Sequence, residues 1–77
     1  IGSNLSSQLF EPMTYATSLR IKSDIIEAID NFEPRVSLTN IEVTPNEAEN
    51  AYYVSLRFFI INEEVERQTT FLLERTR

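Results

Sequence analysis

The hydrophobic period of this chain changes once, at Pro34, and that change limits the folds open to it. Before it, Tyr15, Leu19, Ile21, Ile25, Ile26, Ala28, Ile29 and Phe32 fall on one half of a helical wheel. Arg20, Ser23, Asp24, Glu27, Asp30 and Asn31 take the other half, with Lys22 intruding on the apolar arc and expected to lift its ammonium outward. After Pro34 apolar and polar residues alternate, which is the pattern of strands. A helix followed only by strands points to an α+β fold.

Punctuation sharpens the elements. Thr14 is a fitting N-cap for a helix over Tyr15–Phe32, and Pro34 ends it. Phe-Glu-Pro occurs at 10–12 as well as 32–34, so a short helical turn over 5–10 is expected before Pro12. Val36 and Leu38 have the opposite parity to Ile41 and Val43, which predicts a first strand over 36–44 with a bulge near Thr39–Asn40. Residues 45–50 read as a turn or short loop. The second strand, 51–62, carries Tyr52, Val54, Leu56, Phe58 and Ile60 on its core face. The third, 65–75, follows a turn at Asn62-Glu63-Glu64 and sends Val65, Thr69, Phe71 and Leu73 inward. Such short connections predict a three-stranded antiparallel meander under the long helix. Phe59, Ile61 and Leu72 fall on the opposite face and form a candidate apolar or strand-pairing interface.

Seventy-seven residues suffice for one small domain, whose core supplies only about 3–5 kcal/mol of net stability. With no Cys or His, neither a disulfide nor a zinc site can reinforce it. The net charge of −5 disfavours nucleic acid, which requires a positive face. Six of the seven basic residues are Arg, the cation suited to protein interfaces. No signal peptide and no apolar run of membrane-spanning length is present, so no membrane partner is expected. The chain opens at Ile1 and reads as a piece of a longer or processed protein.

Most chemistry lacks its parts. Without His or Cys, activation of Ser or Thr would rest on Lys22 alone. Glu11 and Glu33 could be nominated as a glycosidase pair only if they came within about 5–9.5 Å of each other. Asn46, Glu47, Glu49 and Asn50 carry oxygen ligands, but without the spacing or glycine of a calcium loop they read as a solvated turn. Asp24, Glu27 and Asp30 read as a solvated helix ridge. No catalytic residue, metal, cofactor or small-molecule substrate is therefore expected. The helix-to-strand corner Glu33-Pro34-Arg35 is the remaining oddity. A carboxylate is disfavoured at a helix C-terminus and a cation favoured there. Pairing with the last helix carbonyls accounts for Arg35 alone, whereas contact with another protein accounts for both charges.

Leu9-Phe-Glu-Pro12, the helix closing on Phe32-Glu-Pro-Arg35-Val36, then Ile41-Glu-Val43 and Tyr53-Val-Ser-Leu56, resemble the baseplate wedge subunit of contractile phage tails. This family is also called the sheath initiator and was once termed lysozyme-like, and type VI secretion baseplates contain relatives. The resemblance runs through essentially all of residues 1–77, read as a single domain without the Arg-Pro-x-x-Pro-type segment that precedes Gly2 in members. It implies a structural, non-enzymatic protein of the virion tail baseplate, assembled in the bacterial host cytoplasm. It further implies that Glu33, Pro34 and Arg35 dock on the baseplate wedge core proteins. The second and third strands would offer backbone to the tail sheath protein. A regulatory anti-adaptor on the same scaffold and a peptidoglycan-cleaving muramidase are the alternatives.

Overall fold

The structure, a computed structural model, describes residues 5–75, and the side chains of residues 7–75. Its elements run α1 (Leu5–Gln8), α2 (Tyr15–Phe32), β1 (Val36–Asn46), a 3-10 turn (Glu47–Glu49), β2 (Ala51–Ile60) and β3 (Arg67–Glu74). The three strands form one antiparallel sheet in the order β1-β2-β3. This is the α+β arrangement expected from the change of period.

Local chemistry explains the helix boundaries. Thr14 is extended, and its Oγ1 accepts the Thr17 amide at 3.1 Å, satisfying one of the free donors at the start of α2. At the other end the Glu33 amide still donates to the Ile29 carbonyl at 2.8 Å. The Val36 amide then closes a turn on the Glu33 carbonyl at 3.0 Å, with Pro34 in the position its fixed φ suits.

The parity change in β1 is a bulge. Leu38 pairs with Phe58 and Asn40 with Arg57, so Thr39 has no partner across the ladder. This extra residue returns Ile41 and Val43 to the face that Leu38 also uses. Between β1 and β2, Asn50 adopts a left-handed conformation (φ 53°, ψ 46°) and caps the 3-10 turn. The loop expected over 45–50 is thus shorter, because β1 continues through Pro45 and Asn46.

The core comprises Leu9, Ile21, Ile25, Ile41, Tyr52, Val54 and Leu56, with Leu38, Val43, Phe58 and Leu73 packed around it. Two expectations about its extent fail. On α2 the buried stripe is Thr17, Ser18, Ile21 and Ile25, while Tyr15 is 76% exposed and Leu19 and Phe32 also face solvent. The helix lies chiefly over β1, which also leaves much of β3 uncovered. Of the third strand's apolar face only Leu73 packs on the core; Phe71 is 40% exposed, and Val65 lies outside the strand and open.

Candidate functional site

At the corner, Glu33, Pro34 and Arg35 are all exposed. Among the described residues neither the Glu33 carboxylate nor the Arg35 guanidinium has a hydrogen-bond or ion-pair partner, so Arg35 does not pair with the helix carbonyls. The backbone, by contrast, is held on three sides. Glu33 is bonded back to Ile29 and forward to Val36, and the Arg35 carbonyl accepts the Ile61 amide at 2.7 Å. Two opposite charges therefore project from a fastened proline turn.

Ile61 and Phe59 belong to the same end of the sheet. Phe59 pairs across the ladder with Ser37, two residues beyond Arg35, and Ile61 is 56% exposed. Leu72 does not join them. It pairs with Tyr53, six residues from Phe59 along β2 and so roughly 20 Å away. The outer-face apolar group expected from alternation splits into Phe59 with Ile61 at the corner and Tyr53 with Leu72 at the opposite end. A second correction concerns strand pairing. β2 is the central strand with both margins occupied, so only β1 and β3 can accept another strand.

A groove of about 670 Å³ runs from Pro34 between α2 and β1, lined by Lys22, Ile26, Asp30 and Leu38 among others. Lys22 is half-buried there, with no ion pair among the described residues. Helical periodicity marked Lys22 as an intruder; it could not show that β1 would lie beside it.

Glu66 ties the three strands together on the outer face. The Thr39 hydroxyl, on the bulge, donates to Glu66 Oε2, and Arg57 Nη2 of β2 reaches Oε1 at 3.3 Å. The Thr39 bond, assisted by the Arg57 charge, holds the Glu66 carboxyl below its ordinary range. Sequence alone gave Glu66 only an outward direction, because its partners are brought close by the bulge and by sheet order.

The remaining candidates fall elsewhere. Glu11 and Glu33 flank opposite ends of the 18-residue α2, roughly 25 Å apart, which is too far for a two-carboxylate glycosidase site. Asn46 Oδ1 accepts the Glu49 amide, Glu49 Oε1 accepts the Tyr53 hydroxyl at 2.7 Å, and Asn50 Oδ1 accepts from Arg75. The Glu49 bond pushes the Tyr53 phenol above its ordinary value. Among the described residues no group of three metal-ligating side chains comes together, and no helix is long and apolar enough to cross a membrane. The acidic ridge is uneven: Glu27 and Asp30 are exposed, but Asp24 is half-buried and its Oδ2 has no partner among the described residues.

The family model described as "Baseplate wedge protein gp25" matches residues 1–68. The baseplate wedge protein gp25 of Enterobacteria phage T4 is 36% identical over 61 residues, covering 79% of this chain and 46% of the phage protein. The chain thus spans about half the length of the curated relative it matches. On these matches, and with the helix-on-meander fold described above, the chain belongs to the gp25 baseplate wedge protein family.

Proposed function

We propose that this protein is a structural, non-enzymatic component of a contractile tail baseplate, located in the virion and assembled in the host cytoplasm. In this reading the Glu33-Pro34-Arg35 corner docks on wedge core proteins, and an open sheet margin pairs with a strand of the tail sheath protein. The observation that carries it is the corner itself. Two exposed opposite charges, unpartnered among the described residues, stand on a backbone fastened by three hydrogen bonds. Preorganised backbone lowers the entropy lost on docking, and Arg presents a planar fork to a carboxylate. Family membership supports the baseplate setting. The separation of Glu11 from Glu33 weighs against a muramidase.

Co-purification tests the assignment. The tagged chain is expected to retain wedge core proteins expressed from the same tail gene cluster, and to leave peptidoglycan suspensions turbid. Failure to retain any of them, or clearance that vanishes in Glu33→Gln, would contradict it.

A further inference from the structure

The charged corner continues onto the sheet. Val36 pairs with Ile60 and Ser37 with Phe59, and one step further the Ile61 amide donates to the Arg35 carbonyl. Opposed residues of an antiparallel pair share a face, so Arg35 stands beside Ile61 as Ser37 stands beside Phe59. Leu38 and Phe58 pack on the core under α2, and alternation therefore turns Arg35, Phe59 and Ile61 to the outer face. Arg57, two residues before Phe59, shares that face. Arg57, Phe59 and Ile61 thus form a row roughly 13 Å long, with Arg35 alongside its far end. Two guanidinium groups bound an apolar pair, of which Ile61 is 56% exposed.

Only one of these guanidinium groups is neutralised within the chain. Arg57 reaches Glu66 Oε1 at 3.3 Å, and Glu66 is held in turn by the Thr39 hydroxyl. Arg35 has no ion pair among the described residues. We propose that the docking surface at the corner extends over this row, and that the wedge core protein bound there presents a bulky aliphatic side chain with a carboxylate next to it. The aliphatic group covers Ile61 and Phe59 while the carboxylate takes the Arg35 fork. Charge selects this occupant, because a basic or purely apolar one would bury the guanidinium uncompensated. Glu33 and Glu64, also unpaired among the described residues, belong to the segments on either side of the row. They repel a wholly acidic partner and confine its carboxylate to the position facing Arg35. Covering Ile61 also excludes water from the Arg35 contact and strengthens it, so the two contacts depend on each other. The inference rests on the baseplate reading and deepens it, adding Phe59 and Ile61 to the corner and specifying the partner's chemistry.

The test is binding of a purified wedge core protein from the same tail gene cluster. Ile61→Ser is expected to weaken affinity about tenfold with an unchanged unfolding midpoint. Arg35→Ala does likewise, and the double variant loses clearly less than the product of the two single losses, because the contacts are coupled. Raising salt from about 50 to 300 mM weakens native binding more than binding of Arg35→Ala. Leu72→Ser, on the same face at the opposite end, binds as the native chain does. Native affinity in Ile61→Ser, with Arg35→Ala and Glu33→Ala weakened, would overturn the extension and leave the corner standing. Native affinity in all three would overturn both. A fully multiplicative loss in the double variant, equal salt dependence of the native chain and Arg35→Ala, or self-association of the free chain that Ile61→Ser abolishes would also overturn the extension.

Discussion

The Ile61 amide donates to the Arg35 carbonyl at 2.7 Å, and this bond fastens the helix-to-strand corner to the end of β2. Residues 26 positions apart in sequence are thus held as one rigid end of the domain. Phe59, Ile61 and the charged corner lie together there, while the opposite end carries the 3-10 turn, Tyr53 and Leu72. A partner approaching the corner meets charge and apolar surface side by side, the mixture that suits a docking anchor.

Ile21 is fully buried at the centre of the α2 contact with the sheet. Truncation to alanine removes about 2–5 kcal/mol, comparable to the whole stability of a domain of this size. Ile21→Ala is expected to be largely unfolded by circular dichroism at 37 °C, whereas Leu19→Ala, on the exposed flank, should remain folded.

Tyr52 has no exposed surface, and its hydroxyl lacks a hydrogen-bond partner among the described residues. Burial raises its phenol pKa, with the Arg75 charge acting in the opposite direction. Removing an unpaired buried hydroxyl relieves a desolvation cost. Tyr52→Phe is expected to raise unfolding stability by about 1 kcal/mol in urea titration.

Glu66 predicts an acid sensitivity. Its folded pKa lies below the ordinary 4.5, through the Thr39 hydrogen bond first and the Arg57 charge after it. A carboxylate depressed on folding contributes stability above its unfolded pKa and loses it as pH falls through the folded value. The stability gap between the native chain and Glu66→Gln should therefore be widest near neutrality and shrink on acidification below about pH 4.5. Denaturant midpoints measured across that window check the sign; a constant gap would contradict it.

Much of this molecule was legible because its signals are local. The helix over Tyr15–Phe32, the Thr14 cap and the Thr39–Asn40 bulge follow from periodicity, capping chemistry and a change of parity. What failed depends on where elements lie relative to one another. Alternation placed Phe59 and Leu72 on one face, but only the ladder register shows that they are roughly 20 Å apart. Tyr15 and Phe71 look like core residues by pattern, yet the helix is set over β1 and covers neither. The corner was legible as an oddity of charge and proline. Its attachment to Ile61 was not, since that bond spans the whole first hairpin.

Binding of wedge core protein by calorimetry tests the corner most directly. Arg35→Ala and Glu33→Ala should each weaken affinity by about tenfold or more, near 1.4 kcal/mol, with unchanged unfolding midpoints. The control Glu47→Ala, exposed at the opposite end roughly 30 Å away, should bind as the native chain does. Native affinity in both corner variants would contradict the account.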